Sequence, residues 1–196
     1  MPSRTGRSGT RGRLRIPPVF ELRVEIQHVA PPIWRQLLVY GSTSLHGLHE
    51  MIQAAFGWEN SHLYEFRLGR RRFHSPYEEQ PRGSAATDAI LMELPLKPGS
   101  TLAYTYDFGD DWHHEIRVLA VRSHEPGAVY PICLDGARAC PPEDSGGPPG
   151  YEQLLAILAN RKHPDHRERR EWVGAHFNPE TFDMRAVNRV LELEFN

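Results

Sequence analysis

The stretch "FELRVEIQHVAPPIWRQLLVYGSTSLHGLHEMIQAAFGW" (20–58) decides the fold, because its apolar period changes along its length. Phe20, Leu22, Val24 and Ile26 alternate with Glu21, Arg23, Glu25 and Gln27, the pattern of a half-buried strand. "HVAPP" breaks it, since prolines cannot continue a ladder. "IWRQLLVY" (33–40) reads as the returning strand, closed by Gly41. The period then becomes helical: Leu45, Leu48, Ile52, Ala55 and Phe56 fall on one face. Thr43 or Ser44 can cap the start, and Gly57 suits the stop. "HLYEFRL" (62–68) returns to alternation, with Tyr64, Phe66 and Leu68 inward. Strand, strand, helix, strand is the opening of a β-grasp. The third strand is then expected parallel beside the first, through a right-handed crossing helix.

Downstream, residues 69–87 are polar and punctuated by Gly and Pro, with room for a short strand near Phe73. "TDAILMELPL" holds a short helical turn, and "KPGS" is a turn. "TLAYTYDF" (101–108) and "WHHEIRVLAV" (112–121) form a hairpin that would complete the sheet, with Gly109 expected to supply the permissive backbone of its loop. "PICLDGARACPPEDSGGPPG" (131–150) reads as a long irregular loop. Three helices follow, in "YEQLLAILAN", "HPDHRERREWVG" and "MRAVNRVLELEF", the last capped by Asp183. The expected fold is α+β: a β-grasp-like mixed sheet with a crossing helix and a C-terminal helical extension. Residues 1–18 read as a disordered basic tail. Residues 19–196 read as a single domain, with a core at 19–130 and a Cys/Pro/Gly loop plus helices at 131–196.

The 196 residues carry 39% hydrophobic and 24% charged side chains, ordinary for a globular chain. No apolar run approaches a membrane span, and the arginine-rich start has no apolar core behind it, so a cytosolic protein without membrane contact is expected. The net charge is −2. Arg4, Arg7, Arg11, Arg13 and Arg15 lie in the first sixteen residues, which leaves −7 on the remainder. That balance excludes a generally basic, DNA-coating surface but not a basic tail that contacts nucleic acid.

Chemistry concentrates in "YDFGDDWHHEI" (106–116). Asp107, Asp110, Asp111, His114 and Glu115 are the candidate ligands of a divalent metal; the residues identify no cofactor beyond that candidate. His114 shares a face with Trp112, Ile116 and Val118, so it is expected partly buried near carboxylates, where it can serve as base, ligand or core hydrogen-bonder. The competing reading is a hairpin turn, because Asp and Gly dominate turns. Cys133 and Cys140 can be two ligands of a structural metal, which would need two more donors such as His114, His62 or Asp144, or buried thiols. Asp135, Glu143 and Asp144 add acidity to the loop, and ordering of the loop onto the hairpin would bring them toward Asp110 and Asp111. His49, Trp58, Asn60, His62 and Trp112 are the candidate lining of a pocket beside the helix C-terminus. "HEMIQ" (49–53) is not a zinc-protease helix, because Gln53 stands where the second histidine is needed. "SGGPPG" is not a phosphate loop, since prolines remove amide donors.

Taken together, "VEIQHVAPPIWRQLLV", "LHEMIQAAFGWENSHLYEF", "YDFGDDWHHEI", "CLDGARACPPEDSGGPPGYEQLLAIL" and "FDMRAVNRVL" occur in the order and with the content of one known group. From about Phe20 to about Leu191 the chain resembles the plasmid pRi open-reading-frame-three-like family, whose members are often labelled insertion-element "TnpR" passenger proteins. The resemblance implies a β-grasp-like α+β domain and an association with mobile DNA. Members commonly carry an acidic residue at the position of His113 and a third cysteine at the position of Ser145. The missing third thiolate argues against a structural zinc here. The resolvase label finds no support in the residues, since no nucleophilic serine is set in an arginine-rich site.

The expected function is therefore a mobile-element-associated binding or accessory protein, with nucleic acid or another mobile-element protein as partner. Two alternatives stand beside it. One is a metal-dependent hydrolase or nuclease built on the acidic/His hairpin. The other is a protein-interaction module using a sheet edge or face. The residues define no reaction, substrate or oligomeric state.

Overall fold

The computed structural model describes residues 16–79 and 82–196. The basic tail expected at residues 1–18 lies outside the described residues except for Ile16, Pro17 and Pro18. The chain runs β1 (Val19–Ile26), β2 (Trp34–Tyr40), α1 (Leu45–Phe56), β3 (Tyr64–Leu68), β4 (Arg71–His74) and β5 (Ser84–Ala85). Two single 3-10 turns, Ala86–Asp88 and Leu91–Glu93, precede β6 (Thr101–Tyr106), β7 (Trp112–Arg122) and β8 (Ile132–Ala137). The helices α2 (Gly147–Ala159), α3 (His166–Val173) and α4 (Met184–Phe195) complete it.

All eight strands form one open sheet, ordered β5-β4-β3-β6-β7-β1-β2-β8. Every neighbouring pair is antiparallel except β4–β5. The architecture is mixed α+β, but the expected pairing of the third strand with the first does not occur. The β6–β7 hairpin lies between them, and the successive antiparallel pairings leave β3 running opposite to β1. The long β7, eleven residues, outcompetes β3 for the edge of β1 because it offers more ladder. A local sequence period carries no information on that competition.

Alternation decides the two sheet faces. Leu22, Val24, Ile26, Leu37, Val39, Phe66, Tyr104, Ile116 and Val118 point to one side and are buried. Helix α1 covers them with Leu45, Leu48, Ile52, Ala55 and Phe56, the face expected from its spacing. Ser44 caps α1 by accepting from the amide of Gly47, and Gly57 ends it at φ 82°. The opposite face carries paired charges: Arg23 with Glu25, Glu115 with Arg117, and Arg122 with Glu21.

The segment expected to be loop from 131 to 150 contains β8, which extends the sheet beyond β2. Its Cys133 is buried in the core. Gly136 allows the close approach of Phe182, whose ring a Cβ would meet at 2.6 Å. The Pro/Gly/Cys composition hid a strand only six residues long. Strand β8 ends the sheet, and an unpaired edge invites aggregation. Asn188 of α4 blunts it. Its Oδ1 accepts from the Cys133 amide at 2.7 Å, and its Nδ2 donates to the Cys133 carbonyl at 2.8 Å. Asn188→Ala is expected to lower the unfolding free energy by about 1–3 kcal/mol, because two partly buried backbone groups lose their partners. Urea denaturation of the variant checks this.

Candidate functional site

The hairpin turn between β6 and β7 forms without glycine in the left-handed region. Asp107 and Asp111 take that role at φ 55° and 57°. The Asp107 carbonyl accepts from the Asp111 amide at 2.6 Å, and its Oδ1 accepts from the Gly109 amide at 2.9 Å. Gly109 is therefore not the left-handed position expected of it. Short carboxylate side chains tolerate positive φ by bonding their own backbone, which is what Asp107 does.

The loop after β8 docks on this turn. Asp110 Oδ2 accepts from the Gly146 amide at 2.9 Å. Gly147 approaches so closely that a Cβ there would lie 2.2 Å from the Asp110 carbonyl oxygen. Trp58 Nε1 donates to the Pro141 carbonyl at 3.1 Å, holding the same loop from the other side.

Strand alternation separates the five acidic and histidine candidates of the hairpin. Asp107 turns inward toward His62. Asp110 holds the loop. Asp111 is exposed and lies 3.1 Å from His113 Nε2. Glu115 is on the outer face with Arg117. His114 is fully inside, edge-on to Phe56 and Trp58 and beside Tyr104. Its environment is aromatic rather than the carboxylate surroundings expected, and it reaches neither Asp107 nor Asp110 to form one centre.

The pocket candidates also divide. His49 is buried, with Nδ1 2.8 Å from the Tyr104 hydroxyl and Nε2 2.6 Å from Asn60 Oδ1. It stacks on Tyr64 with centroids 3.6 Å apart. Gln53 Nε2 donates to the same Tyr104 hydroxyl at 3.0 Å. Trp58 and Trp112 are core rings whose centroids are 6.0 Å apart. His62 stands outside this core, at the sheet end. Burial holds both inner histidines neutral: the His49 pKa falls to about 4 and that of His114 to about 3, desolvation being the main cause of each. The Tyr104 hydroxyl is pushed well above its usual value, again by burial.

Among the described residues neither thiol belongs to a group of three metal-ligating side chains. Burial raises the pKa of both Cys133 and Cys140, against a smaller opposing pull from the Arg35 guanidinium. Arg35 itself escaped the sequence reading, although it lies in phase with the inward Leu37 and Val39. It is buried and donates to four carbonyls: Ala55 at 3.0 Å, Trp34 at 2.8 Å, Ala137 at 3.0 Å and Arg138 at 3.0 Å.

Where the described residues do bring ligand groups together is His62, Asp107 and Asp144, whose donor atoms lie within 4.8 Å of one another. Glu143 borders them, its Oε2 3.9 Å from His62 Nε2, but it is outside the set whose donor atoms all lie within 4.8 Å of one another. His62 and Asp144 are expected from the sequence as possible partners of the cysteines, and Asp107 as part of the hairpin group; the structure brings these three together without a thiol. The pairing of β3 with β6 unites His62 with Asp107, and docking of the loop adds Asp144.

An open, mainly antiparallel sheet with one helix on its inner face and a loop fastened across its end defines a class of α+β protein with a polar junction at that end. Residues 18–186 match the family described as plasmid pRiA4b ORF-3-like protein, and the chain belongs to that family. It is 38% identical over 172 residues to the uncharacterized protein y4hQ of Sinorhizobium fredii, covering 87% of this chain and 86% of that one. It is also similar to the crystal structure of a protein of unknown function, MM3350 from Methanosarcina mazei Go1. The TM-score there is 0.80 at 33% identity, over 87% of this chain and 97% of the other. Among the described residues no helix is long and apolar enough to cross a membrane.

The buried histidines give a pH prediction. Their folded pKa values lie below the unfolded value near 6.5, so between them the unfolded state binds more protons and stability rises with pH. Acidification from about pH 6.5 to pH 4 is expected to remove a few kcal/mol for each group, on the order set by shifts of this size. Urea unfolding measured across that range checks it. His114→Phe should flatten the slope by about one proton.

Proposed function

We propose that this protein is a nucleic-acid-binding accessory protein of mobile elements, and that it meets phosphates through the β3–β4 hairpin. One observation carries the reading. Arg67, Arg70, Arg71 and Arg72 crowd the end of that hairpin, with Arg82 beside them just before β5, and all five are exposed. Arg72 is bonded to Glu65 at 2.6 Å and feels Glu78. Arg67, Arg70, Arg71 and Arg82 have no carboxylate oxygen within 4.0 Å among the described residues. Guanidinium forks suit phosphate oxygens, and such contacts position a protein on a duplex without reading its sequence.

Placement removes the objection raised by the acidic remainder of the chain. The arginine tip and the His62–Asp107 cluster sit at opposite ends of β3, about 20 Å apart at strand rise. At physiological salt the screening length is about 8 Å, so the carboxylates do not cancel the tip. The family description, which names a plasmid reading frame, fits a role beside mobile DNA. The outer sheet face is less suited to a partner, because its charges are already paired across Arg23–Glu25 and Glu115–Arg117.

The test is fluorescence anisotropy with a labelled duplex and the full chain. Replacing Arg67, Arg70 and Arg71 together by Ala is expected to reduce the slope of log K against log salt by about two to three. A wild-type protein that does not bind at about 50 mM salt, or a triple variant that binds like the wild type, would contradict the assignment.

A further inference from the structure

We propose that His62, Asp107 and Asp144, with Glu143 beside them, form a site for one divalent transition-metal ion, Mn2+ or Zn2+, which fastens the segment between β8 and α2 to the end of the sheet. The site rests on geometry separate from the arginine hairpin and stands or falls independently of it.

Each element delivers its group for a local reason. The Asp107 amide donates to the Leu63 carbonyl at 2.9 Å, which sets the residue after β6 beside the residue before β3. Gly146 on Asp110 and Pro141 on Trp58 bracket Glu143 and Asp144 and hold them over the same end. The carboxylates are then oriented by their second oxygens. Asp107 Oδ1 is fixed by the Gly109 amide at 2.9 Å. Glu143 Oε1 accepts from the Tyr106 hydroxyl at 3.0 Å and the Glu59 amide at 2.9 Å. Partners of this kind aim metal ligands.

The remaining oxygens converge on one nitrogen. Asp107 Oδ2 is 3.7 Å, Glu143 Oε2 3.9 Å and Asp144 Oδ1 3.3 Å from His62 Nε2. All three exceed a good hydrogen bond of about 2.7–3.2 Å. They come near the edge of about 3–3.5 Å between two ligands that each stand about 2.1 Å from one ion. The Asp107 side chain is only 9% exposed, and its Oδ2, which is not closed off from solvent, accepts no hydrogen bond among the described residues. Glu143 Oε2 is shut off from solvent and has none either. Buried carboxylate oxygens without partners are costly. No lysine or arginine nitrogen lies within 4.0 Å of these three carboxylates among the described residues. A bound cation satisfies both needs at once. Three hard oxygens with one imidazole favour Mn2+ or Zn2+ over Ca2+ or Mg2+, which take all-oxygen shells.

Calorimetric titration of the metal-stripped full chain with MnCl2, and separately with ZnCl2, tests the site. His62→Ala removes the nitrogen. Asp107→Asn keeps the Oδ1 acceptor and tolerates the left-handed backbone while removing the charge. Asp111→Asn, exposed and outside the cluster, is the control, and circular dichroism confirms that each variant folds. One ion per chain is expected, with binding weakened roughly tenfold or more in His62→Ala and Asp107→Asn and unchanged in Asp111→Asn. Bound metal should also slow proteolysis within residues 138–147. Absence of binding by the wild type overturns the proposal. So does undiminished binding by the two site variants, or loss confined to Cys140→Ser.

Discussion

Arg35 carries a charge that cannot be neutralised in the protein interior, and the structure is arranged around satisfying it. Its guanidinium donates to the end of α1 at Ala55, to β2 at Trp34, and to the end of β8 and the residue after it at Ala137 and Arg138. Four carbonyls from three parts of the chain are thereby fixed on one planar fork. The α1 partner lies in the last turn of that helix, where the macrodipole is negative and favours a cation. Phe56 and Phe182 flank the group, with the guanidinium carbon 4.9 Å and 4.5 Å from their ring centroids. Burying a charge is tolerable only when hydrogen bonds surround it, and here those bonds are the joint between the sheet, its crossing helix and the C-terminal part of the chain.

From that joint the loop after β8 is directed back across the sheet end. It bonds Trp58 and Asp110 on the way and delivers Glu143 and Asp144 to His62 and Asp107. The molecule thus separates its polar groups into two kinds. His49 and His114 are inside, neutral and engaged with tyrosine, tryptophan and phenylalanine rings. The groups at the sheet end retain open lone pairs. The arginines at the far end of β3 retain open donors. A strand only five residues long therefore separates an oxygen-rich end from a guanidinium-rich end.

What could be read from the sequence follows the range of the interaction concerned. The 20–58 stretch was legible because alternation, the Ser44 cap and the Gly57 stop are local. The β6–β7 hairpin and the Asp183 cap of α4 were legible for the same reason. The order of strands was not, because the competition between β3 and β7 for β1 is decided by ladder length across the whole chain. Strand β8 was concealed by glycine and proline, residues usually assigned to loops. Within "YDFGDDWHHEI", composition marked the right neighbourhood but not the partners. Asp107 finds His62 and Asp144, separated from it by up to 45 positions, whereas its neighbours in sequence alternate to other faces. The phase of Arg35 with Leu37 and Val39 was a usable signal for its burial.

Hydrogen exchange in an Arg35→Lys variant tests the central claim most directly, since lysine keeps the charge but not the planar fork. If Arg35 is the joint, amides of residues 138–147 exchange faster than in the wild type while β1, β6 and β7 stay protected. Exchange in 138–147 unchanged from the wild type would mean that the loop is held without Arg35, and would contradict its role as the joint.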